Sequence, residues 1–383
     1  MEIFFNTNPE FTQWMVDTGA LHEAFVVIDV GVLGGESPRW QFLGDHLVVH
    51  GFDAIKEVID DLSEENAKAS NKSYHWFAIG NEDGEREFFF NPNNPTSSSL
   101  YRGSDPMLQP RAVPVRRLDT LFKEGVIPAA DFIKVDVEGF ERDVFFGASG
   151  LLAAGVLGVE SETNFSTSPV YPDTHFGLIH DVMLQHGMFV FDINFNRVPR
   201  AACQEARRRR NLPPLPLQEA GKPATLNVLF CRDLTAERDG SLYYPKLPPK
   251  PSVDQILKTM SIYELHGLND IAVDTAIKFS SELGQRLDVE RAVDLLCRRS
   301  NFLPGLEERI SDLQCELARA ASGRVQLDGE HIRELARLTS ERDQLNGERI
   351  ALTEEVSQMR ASTSWRMTAP LRSLVHRFRQ TMR

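Results

Sequence analysis

Seven short runs of almost uninterrupted apolar residues constrain this chain more than any other feature. They are Phe25–Val30 (FVVIDV), Leu47–Phe52 (LVVHGF), Tyr74–Ile79 (YHWFAI), Phe132–Val137 (FIKVDV), Val156–Val159, Met188–Ile193 (MFVFDI) and Leu226–Cys231 (LNVLFC). A strand with one wet face alternates apolar and polar residues, whereas a strand covered on both faces stays apolar throughout. Helical stretches separate the runs, Ala54–Ala69 and Glu141–Leu152 among them, and suit crossover connections. The expected fold is α/β, a doubly wound, seven-stranded Rossmann-like sheet over residues 1–245. In such sheets ligands bind outside the carboxyl ends of the strands.

Three further stretches follow. The Pro-rich Tyr243–Ser252 reads as a linker, and Val253–Arg299 has the periodicity of two or three helices, giving a linker and small helical region at 246–300. Leu306, Ile310, Leu313, Leu317 and Ala320 then form a heptad seam. A second seam runs through Leu335, Leu338, Leu345, Leu352, Val356 and Met359, offset by a stutter near Gly323 and Gly329. Residues 301–360 are therefore expected to form a coiled coil of roughly 80 Å that makes a homo-oligomer, with Arg342 and Arg349 weakening its seam. An isolated amphipathic helix is the plainer alternative. Residues 361–383 form a basic tail: Leu371, Leu374, Val375, Phe378 and Met382 share one helical face, with Arg372, Arg377 and Arg379 opposite. That pattern suits peripheral contact with an anionic membrane, and a disordered basic tail is the alternative.

The net charge of -13 argues against a nucleic-acid partner, since phosphate backbones require a cationic surface. No apolar run is long enough to span a bilayer, and MEIFFNTNPEF has no signal-peptide pattern. The four cysteines are widely spaced and no His/Cys/Asp cluster has ligand spacing, so no metal is expected. These limits describe a cytoplasmic protein, peripheral at the inner face of a bacterial membrane if the tail binds there.

Three strand ends concentrate the chemistry. Asp29-Val30-Gly31-Val32-Leu33-Gly34-Gly35 places an acid before a glycine turn. Glycines let the backbone approach a ligand closely. The acid favours a cationic, amino-acid-bearing ligand over phosphates, and S-adenosyl-L-methionine (SAM) fits; a tight structural turn would explain the same residues. Asp53 ends the second run, where an acid can accept hydrogen bonds from ribose hydroxyls or cap the following helix. Asp136 and Glu138 leave the Phe132 strand two residues apart, pointing the same way if the strand continues. Acids at the end of an apolar strand are costly unless used.

In this order, VIDVG, GFD and DFIKVDVEGFERDVFFGA resemble the FkbM-type SAM-dependent methyltransferases over roughly residues 20–200. FAIGNEDGEREFFF, VPVRRLDTLF and Glu162-Thr163-Asn164-Phe165 followed by Tyr171 agree with that pattern. The chain departs from it at Val32-Leu33, where the family's first loop usually continues Gly-Ala-Asn. The resemblance implies that Asp29, Gly31 and Gly35 shape a methionine pocket, that Asp53 binds ribose, and that the Ala78–Gly80 turn borders adenine. It further implies that Asp136 and Glu138 lie beside cofactor and acceptor. A methyl acceptor must lose a proton, so Asp136 or Glu162 is the expected base, with His180 and His175 as imidazole alternatives. The run Arg207–Arg210 is a solvated stretch or a contact for an anionic glycan or nucleotide-sugar diphosphate.

Ser362-Thr363-Ser364-Trp365-Arg366-Met367-Thr368-Ala369-Pro370-Leu371-Arg372 is similar to a segment of bacterial surface-polysaccharide enzymes. The expected activity is therefore O-methylation of a sugar hydroxyl on a glycan or glycolipid acceptor, such as an O-antigen or exopolysaccharide. Methylation of a small secondary metabolite, or a non-catalytic coiled-coil scaffold that keeps the fold, are the alternatives.

Overall fold

The computed structural model describes residues 6–103, 106–165, 174–213, 215, 221–236, 250–297 and 337. The chain divides into two units, 1–300 and 301–383. The expected coiled coil, its oligomer and the basic tail lie outside the described residues, apart from Arg337, as does most of the Pro-rich linker.

Seven strands form the main sheet: β1 (Phe25–Val30), β2 (Leu47–Asp53), β3 (Lys72–Trp76), β7 (Phe132–Val135), β8 (Gly158–Asn164), β9 (Phe189–Val198) and β10 (Lys222–Cys231). Their order is β3-β2-β1-β7-β8-β10-β9, parallel except for β10, which runs antiparallel to both neighbours. All six residues of β1 are buried. Phe25 and Val27 enter one core and Ile28 and Val30 the other, as the two-residue period of a strand requires. The second core is closed by α3 (Leu118–Lys123), α4 (Glu141–Gly147), α5 (Ser149–Ala153) and α6 (Phe176–Gln185). The first is closed by α1 (Glu10–Asp17) and by α8 (Val253–Leu265), followed by α9 (Asn269–Lys278), α10 (Ser280–Leu283) and α11 (Val289–Cys297). Among the described residues no helix is long and apolar enough to cross a membrane.

Among the described residues the helical stretch after the linker holds four helices rather than two or three, and it completes the main core. Ile256, Leu257, Met260 and Tyr263 of α8 share a cluster with Phe25, Phe132 and Leu229. Lys258 Nζ lies 3.0 Å from Asp131, whose carboxylate also accepts the Val26 N–H. Glu264 accepts the N–H groups of Phe11 and Thr12 at 2.9 and 2.7 Å, satisfying otherwise open donors at the start of α1.

Other boundaries also differ from expectation. Tyr74–Ile79 is not one strand. The chain leaves the main sheet after Trp76, and β4 (Ala78–Ile79) joins β5 (Gly84–Phe90) and β6 (Gln109–Arg116) in a second sheet of order β4-β6-β5. Glu141–Leu152 breaks at Ala148, because the Asp119 carboxylate accepts the N–H groups of Gly150 and Leu151 and starts α5 afresh. Gly147, at the end of α4, packs against the turn at Gly80: a Cβ there would fall 1.9 Å from the Gly80 carbonyl oxygen. The helix after Asp53 is α2 (Lys56–Glu65), shorter than Ala54–Ala69.

Candidate active site

At the carboxyl edge of the sheet the strand order reverses, with β2 on one side of β1 and β7 on the other. A cavity of about 410 Å³ opens there. Its lining includes Gly31, Leu33, Asp53, Phe77, Ala78, Ile79, Lys134, Asp136, Glu138, Phe140 and Glu162. The loop between β5 and β6 adds Pro95, Thr96, Ser98 and Leu100.

The glycine turn after β1 is explained by a close approach. Gly31 has φ +85°, and a Cβ on it would fall 1.9 Å from the Asp136 carbonyl oxygen. Gly31 N–H donates to the Phe52 carbonyl at 2.9 Å, and Asp136 N–H donates to the Val30 carbonyl at 2.9 Å. The ends of β1, β2 and β7 are thus held together without a side chain between them. Gly35, also at positive φ, does not line the cavity, and its N–H closes the turn onto the Val32 carbonyl at 2.8 Å.

Asp53 lines the cavity and accepts the Ile55 N–H at 2.8 Å, so it faces the site and also supports the turn before α2. Burial pushes its pKa up to about 6, despite that hydrogen bond. Asp29 does not line the cavity. It is 1% exposed, lies in the sheet behind the site, and pairs with Lys134 Nζ at 3.3 Å. Any contribution of Asp29 to a ligand therefore passes through Lys134 and the glycine turn. Burial raises its pKa to about 6, against the pull of Lys134.

β7 ends at Val135, so Asp136 and Glu138 leave in a turn instead of continuing the strand. Glu138 adopts φ +54°, in the left-handed region that a non-glycine residue enters only when the surroundings fix it. Ser99 Oγ donates to the Glu138 carbonyl at 2.7 Å, and Glu141 Oε1 accepts the Gly139 N–H at 3.0 Å. Glu162 lies inside β8 rather than after a strand ending at Val159, because β8 runs on to Asn164. The turn and β8 bring carboxylate oxygens of Asp136, Glu138 and Glu162 within 4.8 Å of one another, a donor set that could hold a metal ion. Sequence spacing did not reveal it, since the three come from two separate segments.

Crowded, half-buried acids hold protons tightly. Burial, reinforced by the charges of Glu162 and Asp136, raises Glu138 to about 8. Burial and the neighbouring Asp136 raise Glu162 to about 7. Glu141, buried and with one carboxylate oxygen unpaired, rises to about 7.

Lys134 had no role assigned from sequence, yet it is the one cation lining the cavity among the described residues. Register explains its surroundings: Asp29, Lys134 and Glu160 are paired neighbours across β1, β7 and β8. Burial opposes the charge on Lys134, but Asp29, Asp136 and Glu160 push its pKa up. Glu160, though buried, is held at about 2 by Arg39, 3.1 Å away, and by His266. Phe77, Phe140 and the β5–β6 loop residues were also missed: Phe77 and Phe140 sit inside runs whose apolar residues read as core, and the loop residues reach the cavity only through the pairing of β5 with β6.

The two histidines lie outside the cavity lining. His180 sits on α6, stacked at 5.3 Å on Phe176 and 6.4 Å from Phe230. His175 caps α6, its Nδ1 accepting the Gly177 N–H at 3.1 Å.

Several solved structures resemble the chain at low identity. A methyltransferase FkbM from Methylobacillus flagellatus KT is 13% identical with a TM-score of 0.33, over 57% of this chain and 47% of its own. The chain thus spans about half of that protein. A fibrillarin from Aeropyrum pernix with natively bound S-adenosyl-L-methionine is 9% identical, TM-score 0.29, over 57% and 76%. A precorrin-6y C5,15-methyltransferase from Geobacter metallireducens GS-15 is 9% identical, TM-score 0.29, over 59% and 89%. No curated protein matches. A family model, that of the methyltransferase FkbM domain, does match, over residues 42–187, from just before β2 through α6.

Proposed function

We propose that the chain is a SAM-dependent O-methyltransferase acting on a sugar hydroxyl of a bacterial surface polysaccharide. The observation that carries this reading is the cavity at the strand-order reversal, bordered by Asp53, Asp136, Glu138 and Glu162. The cavity fits the cofactor chemically. Gly31 borders the cavity with no side chain, Phe77, Ala78 and Ile79 offer an apolar wall for a purine, and the carboxylates suit a ligand bearing ammonium and sulfonium charges. When bound, SAM supplies an electrophilic methyl group.

The chain's own residues do the rest. Asp53 would accept the ribose hydroxyls, and Lys134 holds Asp136 and Asp29 in place from below. A sugar hydroxyl is a weak acid, so an adjacent base must take its proton. Glu162, raised to about 7 by burial and by Asp136 beside it, is matched to that task at neutral pH. His180, away from the cavity lining, is dropped as a base. The sugar acceptor and a cytoplasmic, membrane-proximal location are supported by the Ser-Trp-Arg-x-Thr-x-Pro-Leu-Arg string and the basic tail.

Incubation of the purified chain with labelled SAM and lipid-linked or cell-surface glycan tests this reading. Label is expected in a sugar methyl ether, and its absence from every sugar would overturn the assignment. A scaffold would not bind SAM, so calorimetry separates an inactive domain from a wrong acceptor.

A further inference from the structure

Between β9 and β10 the chain makes a long excursion, residues 199–221, that contains α7 (Ala201–Arg208). Topology fixes where it projects. β9 and β8 are both antiparallel to β10, so they run in the same direction and end at the same edge of the sheet. That is the edge carrying Glu162, two strand spacings or about 10 Å from β9.

The composition of this excursion contrasts with an acidic chain. From Arg197 to Lys222 the sequence has the bases Arg197, Arg200, Arg207, Arg208, Arg209, Arg210 and Lys222 against two acids, Glu205 and Glu219. No residue of α7 is buried. Arg207 and Arg210 donate to backbone carbonyls of Pro213 and Ala206, which fixes the end of the helix. Arg208 and Arg209 instead share Glu205 and remain 77% and 74% exposed. One carboxylate cannot neutralise both.

Exposed apolar residues flank the cationic helix along the chain and at the neighbouring strand ends. Val198 and Leu212, on either side of it, are 52% and 47% exposed. Phe195 and Phe165, exposed at the ends of β9 and β8, have ring centroids 6.0 Å apart. A soluble phosphate site needs cations but gains nothing from exposed Val, Leu and Phe. Cations accompanied by exposed apolar residues match the headgroup–acyl boundary of an anionic bilayer.

We propose that α7 and its flanks are a membrane-docking face that receives an anionic phospholipid surface and turns the active-site edge towards it. Arg207–Arg210 meet the headgroups, while Val198, Leu212 and the Phe165–Phe195 pair enter the boundary. This face is separate from the basic tail and does not depend on the methyl-transfer reading.

The test uses the full chain, with its tail, in sedimentation with phosphatidylcholine vesicles with and without phosphatidylglycerol. Near an anionic surface each basic residue contributes about fivefold in partitioning, so Arg208→Gln/Arg209→Gln should bind roughly 30-fold more weakly. High salt should weaken the wild type towards the variant. Val198→Ser/Leu212→Ser should weaken binding even at high salt. All four side chains are exposed, so unchanged melting will verify that both variants fold. Binding by the arginine variant equal to wild type would overturn the proposal. So would protection of the wild type against melting by inorganic pyrophosphate that is lost in the variant, which would make the patch a soluble phosphate site.

Discussion

Replacing Gly31 with alanine tests the central geometric claim, that the glycine turn and the Asp136 turn touch through their backbones. At φ +85° an L-residue costs roughly 1–2 kcal/mol. The new Cβ would also lie 1.9 Å from the Asp136 oxygen and 2.9 Å from its carbonyl carbon, so the two turns must part by about an ångström. Parting strains the Gly31–Phe52 and Asp136–Val30 backbone hydrogen bonds, at about 1 kcal/mol each. The sum is about 3–4 kcal/mol, which at 2–4 °C per kcal/mol lowers the melting midpoint by about 10 °C. Gly125→Ala is the control, since Gly125 has φ +71° and nothing within 4 Å of where a Cβ would stand, leaving only the backbone cost. Scanning calorimetry of the two variants should differ by about 2 kcal/mol, the two strained hydrogen bonds, and only Gly31→Ala should also weaken SAM binding. Equal melting of both variants, with SAM affinity intact, would refute the close approach.

Two further outcomes follow from the site. Asp53→Asn keeps an oxygen for the Ile55 N–H but loses the charge offered to ribose, so SAM affinity should fall about 10- to 100-fold by calorimetry; unchanged affinity would remove Asp53 from the site. Glu138, Glu162 and Glu141 have folded pKa values of about 8, 7 and 7, above their ordinary value, so the folded state holds more protons than the unfolded one. Stability should therefore fall as pH rises from their ordinary value of about 4.5 to about 8, where both states have lost these protons. Between about pH 4 and 6.5 the buried His50, lowered to about 4, acts in the opposite sense, but as one group against three it only makes the fall shallower there. Melting midpoints across the range check this, with a shallower fall expected for Glu138→Gln; a midpoint that rises between pH 5 and 8 would contradict it.

Much of the sheet was legible because its signal is local. Phe25–Val30 reads as a strand buried on both faces, and it is one. Asp53 and the Asp136–Glu138 turn could be placed at strand ends, and thus at one edge, from the same runs. The elements that were misread depend on distant partners. Glu141–Leu152 looks like one helix until Asp119 caps its second half, and Tyr74–Ile79 looks like one strand until β6 draws Ala78 into another sheet. β5 and β6 escaped notice because each is largely polar or exposed. His180, chemically plausible as a base, is placed by α6 among aromatic rings.

The sequence by itself determined the kind of fold, the strand ends that bear acids, and the motif of the methyltransferase FkbM domain. These are properties of periodicity and short spacing, which act between near neighbours in the chain. Tertiary structure alone decided that Lys134 stands between Asp29 and Glu160, that Glu162 meets Asp136 and Glu138, and that a run of arginines leaves the sheet at the edge of the active site. Each depends on strand order and register, and those follow from how two cores pack around one sheet.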